Sequence, residues 1–112
     1  MIAVVAVGGG GAAAASARPA KTYNLSASKT ALKFNKSTIT AKAGKVTLRM
    51  ANPSSLPHAI AIKGKKSAKG KVVTKGGTST VSLTLKKGTY TFYCPVGNHE
   101  AAGMKGRLVV VS

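Results

Sequence analysis

Acidic residues are nearly absent from this chain. Among its 112 residues Glu100 is the single acid, against 18 lysines and arginines, and the formal net charge is +17. One carboxylate cannot supply the carboxylate pair that many acid–base enzymes need, and neither a nucleophile-and-base set nor a phosphate-binding loop accompanies it. We therefore expect a protein that is not an enzyme and whose partners are acidic.

Aromatic residues and cysteines are also scarce. The chain has no tryptophan, three tyrosines and two phenylalanines, and these aromatics do not interleave with the basic residues as they do in RNA-binding motifs. We expect no specific nucleic-acid binding. The single cysteine, Cys94, cannot form an internal disulfide, so cysteine usage does not indicate the compartment.

The first 17 residues differ in composition from the rest. Residues 1–17 are apolar and rich in glycine and alanine, and they end in Ala15-Ser16-Ala17. This pattern predicts a secretory signal, atypical or truncated because no positive charge precedes it, with cleavage before Arg18 and an extracytoplasmic location: periplasmic, cell-surface or secreted. A disordered tail is the alternative. A spanning helix is disfavoured because the run is shorter than about 20 residues and contains glycines.

The remaining residues, 18–112, have the length of one small domain. Short runs with alternating apolar residues follow one another, separated by Gly, Asn, Ser and Lys, and no stretch has a helical period. Three of these runs are Val46-Leu48-Met50, Val81-Leu83-Leu85 and Tyr90-Phe92-Cys94. Seven or eight strands of this kind predict an all-β fold, a two-sheet Greek-key β-sandwich.

Four residues carry the chemistry. Cys94, His99 and Met104 follow one another at intervals of five between two strand-like runs. After an Asn52-Pro53 turn, His58 opens a predicted strand, residues 58–62, in which alternate side chains face the core. A thiolate, two imidazoles and a thioether form the ligand set of a mononuclear blue-copper site, because soft sulfur favours Cu(I) while imidazole also suits Cu(II). Singly, Cys94 could be an inert buried thiol and Met104 a core residue. Their combined type, order and spacing favour a metal site.

This order of residues resembles the cupredoxins, the small blue-copper proteins, and its two four-residue gaps are more similar to rusticyanin and auracyanin than to plastocyanin. The resemblance covers the whole chain after the leader. It implies one type 1 copper ion held by His58, Cys94, His99 and Met104, in a monomeric, exported carrier of single electrons. His99 would lie nearest the surface, inside an apolar ring formed by Leu56, Pro57, Val96, Ala101 and Ala102.

Two positions depart from the cupredoxin pattern. Many members have Asn directly after the first histidine and Ser or Thr directly after the cysteine, and this side-chain pair joins the two ligand segments. Here these positions are Ala59 and Pro95. Because this polar link is absent, we expect a looser site or an altered potential.

Two other functions use the same residues or charges. A copper carrier or scavenger would need the same ligands, and a basic adhesion module with a degenerate copper site would need only the lysines. The positive charge predicts a transient contact with an acidic redox partner protein, or with an anionic membrane or wall surface. The segment 63–71 has five lysines in nine residues, a pattern more typical of a solvated loop than of a specific docking patch.

Overall fold

Eight strands and no helix make up the described part of the chain. The computed structural model describes residues 20–112, so the predicted cleavage site before Arg18 lies outside the described residues. No helix in this part is long and apolar enough to cross a membrane. The strands are β1 (Ala20–Ser26), β2 (Thr38–Lys42), β3 (Gly44–Asn52), β4 (Ala61–Lys63), β5 (Ala68–Lys69), β6 (Gly77–Leu85), β7 (Gly88–Tyr93) and β8 (Lys105–Val111).

The strands form two sheets. One has three strands in the order β1-β3-β6, and the other has five in the order β2-β8-β7-β4-β5. Two pairs, β1 with β3 and β2 with β8, are parallel, and the other pairs are antiparallel. The predicted two-sheet all-β sandwich is therefore confirmed.

The core lies between the inner faces of the two sheets. In β3, Val46, Leu48 and Met50 are completely buried, while the residues between them are more exposed. This alternation follows from the two-residue period of a strand, which points successive side chains to opposite faces. On β7 the same period buries Tyr90 and Phe92, and it continues to the next residue of that face, Cys94.

The predicted strand at His58–Ile62 is wrong in its extent. The strand β4 starts only at Ala61, and His58 makes an isolated antiparallel bridge with Val73. All five residues from His58 to Ile62 are completely buried. Residues 70–73 bond to its backbone, and Ser79 of β6 bonds to Ile60, so the segment has no solvent-facing side.

The direction of β7 defines two ends of the sandwich. We call the end where β7 finishes at Tyr93, β3 finishes at Asn52 and β8 starts at Lys105 the cysteine end, because Cys94 follows β7 there. The opposite end holds the turn between β6 and β7, from Leu85 to Gly88. The site residues must therefore meet at the cysteine end.

A close contact between β7 and β8 holds the strands on either side of Cys94 and Met104. Phe92 pairs with Gly106 in the register of these strands, and its ring also packs on Phe34 with centroids 5.6 Å apart. A Cβ atom added at Gly106 would lie 2.2 Å from Phe92 Cζ and 2.7 Å from the Ser37 carbonyl oxygen. Glycine is required at 106 because the ring occupies the space of a side chain.

We expect Gly106→Ala to lower the free energy of unfolding by about 1–3 kcal/mol, since overpacking forces the Phe92 ring from its position. Urea denaturation of the copper-free protein measures this. The same substitution in a Phe92→Leu background should cost clearly less, because the two sites are in contact and their effects are not additive. Equal costs in both backgrounds would contradict the role assigned to the ring.

Candidate metal centre

His58, Cys94 and His99 meet at the cysteine end of the sandwich. The Sγ atom of Cys94 lies 3.8 Å from His58 Nδ1 and 3.5 Å from His99 Nδ1, and the two Nδ1 atoms are 3.2 Å apart. A point equidistant from the three atoms is about 2 Å from each, close to the lengths of metal–imidazole and metal–thiolate bonds. The three donors can thus hold one metal ion without rearrangement.

The three residues differ in their access to water. His58 and Cys94 are completely buried, whereas His99 is half-buried. The expectation that His99 is the ligand nearest the surface agrees with this difference. Any exchange between the site and a partner should pass through His99.

A hydrogen-bonded loop brings Cys94, His99 and Met104 together. The Cys94 N–H donates to the Met104 carbonyl, and the Met104 N–H donates to the His99 carbonyl, both at 3.0 Å. These bonds close residues 94–104 into a compact turn, in which Gly97 and Gly103 adopt positive φ angles of 48° and 117°. Residues other than glycine rarely adopt such angles, so the two glycines permit the turn.

Met104 is completely buried. Its backbone bonds to Cys94 and His99 place it beside the three donor atoms. A buried thioether there can act as a weak axial donor to copper. The fourth residue singled out from the sequence therefore lies at the same site as the other three.

The His58 segment is held by a buried asparagine that the sequence analysis had treated only as part of a turn. The Asn52 Nδ2 group donates to the carbonyls of Leu56, at 2.8 Å, and Val73, at 2.9 Å. The Val73 carbonyl also accepts from the His58 N–H, and the Val73 N–H donates to the His58 carbonyl. Asn52 thus connects the end of β3 with both sides of the His58 bridge.

Ser79 binds the same segment at Ile60, two residues after His58. Its hydroxyl accepts from the Ile60 N–H and donates to the Lys71 carbonyl, which joins β6 of one sheet to the edge of the other. These bonds, together with the pairing of Ala61 with Tyr93, connect the ligand segments without the side chains that Ala59 and Pro95 replace. That the site is looser than in other cupredoxins stays a prediction.

The His58 ring makes its polar contacts on one side only. Its Nδ1 atom faces Cys94 and His99, while its buried Nε2 atom has no hydrogen-bond partner among residues 20–112. Burial and the neighbouring His99 imidazole lower the pKa of His58. The ring is therefore kept neutral, which is the form that binds a metal.

The only acid of the chain also lies at this end. Glu100, next to His99, forms an ion pair with Lys63, whose ammonium group lies 4.6 Å from the centroid of the Tyr93 ring. The sequence analysis did not anticipate this pair, because 37 residues separate the two partners. The charge of Lys63 is thus neutralised. The lysine-rich segment 63–71, which begins at Lys63, therefore presents one positive charge fewer to a partner.

The apolar ring expected around His99 lies largely in solvent. Leu56 has 49% of its surface exposed, and Pro57, Ala101 and Ala102 are exposed as well. Val96 is half-buried and its carbonyl accepts from the His99 N–H. These five side chains are therefore uncharged, and four of them are accessible to solvent.

Comparison with known proteins identifies the family. Residues 1–110 match the family model of the cupredoxin-like domain, so the chain belongs to the cupredoxin-like family. The resemblance drawn from the four residues is confirmed. No match was found among curated proteins.

Solved structures with a similar fold include two auracyanins and an amicyanin. Auracyanin A from Chloroflexus aurantiacus, described as a "blue" copper protein, is 25% identical with a TM-score of 0.71, over 83% of this chain and 100% of that one. Auracyanin from Roseiflexus castenholzii is 24% identical with a TM-score of 0.70, over 84% and 100%. Amicyanin from Paracoccus versutus is 26% identical with a TM-score of 0.60, over 87% and 88%.

We expect Asn52→Ala to lower the free energy of unfolding by about 1–3 kcal/mol, because it removes buried hydrogen bonds that hold the His58 segment. Asn24→Ala is the matched control, since Asn24 is exposed on β1 and should change stability by no more than about 0.5 kcal/mol. Chemical denaturation of the copper-free proteins measures both. Equal, small effects would mean that the Asn52 amide does not stabilise the site.

Proposed function

We propose that this protein is a blue-copper electron carrier that holds one type 1 copper ion. His58, Cys94 and His99 would bind the ion most strongly, and the Met104 thioether would be a weaker fourth donor. The observation that carries the proposal is the convergence of one thiol and two imidazole nitrogens on a point about 2 Å from each, in a chain with the cupredoxin fold.

Bound copper would supply a one-electron couple, Cu(I)/Cu(II). The chain's part is to keep the ligands in place in both oxidation states. Cys94 and His58 are buried among strands, and Cys94, His99 and Met104 are joined by backbone hydrogen bonds. Ligands held in this way need little movement when the charge on the metal changes. Their burial also excludes water from the Cys94 sulfur.

The electron would enter and leave through His99. This imidazole is the only one of the three donor groups that is partly exposed, and its loop also exposes the uncharged residues Ala101 and Ala102. A redox partner protein can approach such a surface closely, while the positive charges around it steer an acidic partner. We propose that the contact is transient and that the carrier is a monomer.

The lysines at the cysteine end are the ones that could guide this encounter. They are exposed and lie on the turns around the site: Lys29, Lys33, Lys75 and Lys105. Lys65 and Lys66 of the lysine-rich loop lie near the opposite end, where Lys66 Nζ donates to the Thr84 carbonyl. Only part of the positive charge is thus available to a partner at His99.

The location and the absence of enzymatic activity are also proposals. An extracytoplasmic place, reached through the leader 1–17, suits a carrier of this family, and the domain would then comprise residues 18–112. The residues around the site offer donor atoms to a metal and no pair of carboxylates, since Glu100 is the only acid. This supports electron transfer rather than catalysis.

Adding Cu(II) to the purified protein should produce an intense thiolate-to-copper absorption band and a narrow copper hyperfine splitting, because a thiolate and two imidazoles share the ion. Cys94→Ser should abolish the band without unfolding the sandwich, as circular dichroism can check. A folded wild-type protein that stays colourless would refute the copper site. Loss of the metal on reduction would favour a copper carrier over an electron carrier.

Met104→Leu should keep the copper and raise the reduction potential, because loss of a weak axial donor favours Cu(I). Voltammetry measures the potential. Met50→Leu is the matched control, since Met50 is equally buried but lies within β3; its potential should stay that of the wild type. A Met104→Leu protein that no longer binds copper would show that Met104 is more than an axial ligand.

The charge predicts opposite salt effects with two small redox reagents. Reduction of the Cu(II) protein by hexacyanoferrate(II), an anion, should slow as ionic strength rises, whereas reduction by the hexaammineruthenium(II) cation should accelerate. Ala102→Glu, beside His99, should slow hexacyanoferrate at least about tenfold at low salt, by adding a repulsive charge and bulk at the point of entry.

Ala20→Glu is the control for this experiment, since it makes the same change in net charge at an exposed residue of the opposite end. Its rate should stay near that of the wild type. Equal slowing by both substitutions in stopped-flow measurements would show that net charge alone governs the rate and that His99 is not the point of entry.

A further inference from the structure

Seven exposed lysines gather at the end of the sandwich opposite Cys94. The strand register places them there: Lys45 pairs with Thr84 near the end of β6, Lys21 pairs with Val46, and Lys42 pairs with Val111. The other four flank the turn between β6 and β7 or follow β4 toward it. The opposite-end lysines are Lys21, Lys42, Lys45, Lys65, Lys66, Lys86 and Lys87.

Four of these lysines line a groove. Lys65, Lys66, Lys86 and Lys87, the groove lysines, surround a cavity of about 430 Å³ together with Thr84 and Tyr90. Lys66 is held in position by its bond to the Thr84 carbonyl, and the Tyr90 hydroxyl donates to the Lys86 carbonyl. The Lys66 bond therefore joins the two lysine-bearing segments, and the Tyr90 bond closes the turn that carries Lys86 and Lys87.

Gly64 lets the segment with Lys65 and Lys66 approach the Tyr90 ring. A Cβ atom at Gly64 would lie 2.9 Å from Tyr90 Cδ2. Its φ angle, 150°, is one that favours glycine. The ring thus forms the floor of the groove, and the lysines stand around it.

The charge of this end is not balanced within the described part of the chain. The single acidic side chain, Glu100, lies at the cysteine end and is paired with Lys63. The main-chain carboxylate of Ser112 lies near the opposite end, but it forms no ion pair with the described residues. An anionic surface is the partner that such a cluster of uncompensated lysines fits.

We propose that the opposite end docks on a membrane surface that contains anionic phospholipids, with a headgroup phosphate in the groove. Ammonium groups bind phosphate well as point charges, and each lysine near such a surface strengthens binding by about fivefold. The chain also enters the described fold here, because Ala20 pairs with Lys45.

This orientation leaves the metal centre free. Strand β7 runs six residues from Gly88 to Tyr93, and at about 3.3 Å per residue the groove and Cys94 lie on the order of 20 Å apart. A protein docked by its lysine end would present His99 to the aqueous side. Membrane binding and contact with a partner at His99 would then not compete.

Co-sedimentation with vesicles tests the proposal. The wild-type protein should bind vesicles of phosphatidylcholine mixed with phosphatidylglycerol, and it should not bind phosphatidylcholine alone. Replacing the four groove lysines by glutamine should weaken binding at least about a hundredfold, from about fivefold per lysine. The matched control neutralises four exposed lysines of the cysteine end: Lys29→Gln, Lys33→Gln, Lys75→Gln and Lys105→Gln.

The control variant has the same net charge as the groove variant, so it should lose less than about tenfold if position matters. Equal losses in the two variants, or equal binding of wild type to both kinds of vesicle, would overturn the proposal. Circular dichroism checks that both variants are folded. The test needs no copper, so its result is independent of the proposed electron transfer.

Lysine acetylation of the wild-type protein provides a second readout. Anionic vesicles should protect the groove lysines from an acetylating reagent, as followed by mass spectrometry, and leave Lys29, Lys33 and Lys105 reactive. Protection of the cysteine-end lysines instead would mean that the metal face docks on the membrane, which contradicts the proposed orientation.

Discussion

The structure depends on strand β7, which places the Cys94 thiol at the edge of the buried core. Tyr90, Phe92 and Cys94 point to the same face of the strand, and all three are buried. The strand ends at Tyr93, so Cys94 is the last buried side chain on this face and lies at the cysteine end of the sandwich. Burial of Phe92 against Gly106 and Phe34 holds the row in place, and the position of every other ligand is defined relative to it.

Backbone hydrogen bonds then bring the remaining ligands to the sulfur. The bonds from Cys94 to Met104 and from Met104 to His99 make the loop a single unit, while Asn52 and Ser79 hold the His58 segment from the other sheet. Within the loop these contacts join main-chain groups, and at the His58 segment they join the Asn52 and Ser79 side chains to main-chain groups. None of them uses a donor atom of the site, so they do not depend on the oxidation state of a metal. The donor atoms are therefore arranged before an ion binds, which is the property that rapid one-electron exchange requires.

Charge separates the two ends of the molecule. At the cysteine end the loop of His99 exposes the uncharged residues Ala101 and Ala102, and the one acid is paired with Lys63. At the opposite end seven lysines have no acidic side chain near them. The net charge of +17 is thus better understood as two surfaces with different partners than as one uniform field.

The strands and the four site residues could be predicted from the sequence because they depend on local period and spacing. Alternating apolar residues identify β3 and β7 directly. A cysteine, a histidine and a methionine with the spacing of Cys94, His99 and Met104 have few other uses. The segment from His58 to Ile62 was predicted incorrectly as a one-sided strand, because its burial comes from contacts with residues 70–73 and Ser79 that its own pattern does not encode.

Other features depend on which strands pair, and no local pattern encodes that. The ion pair of Lys63 with Glu100 needs β4 to lie beside β7, and the bonds of Asn52 need the chain around Val73 to return to the end of β3. Likewise, lysines 20 to 60 residues apart in sequence meet at one end only once the register is known. Asn52, directly before Pro53, was the one signal of these contacts in the sequence, because asparagine side chains often bond to the backbone in turns.

X-ray absorption at the copper edge tests the central claim most directly, that the donor atoms are arranged in advance and stay in place. The account predicts one sulfur and two nitrogen neighbours at bonding distance in both the Cu(II) and the Cu(I) protein, with only small changes between them. A copper ion without a sulfur neighbour, or one that loses an imidazole on reduction, would contradict it.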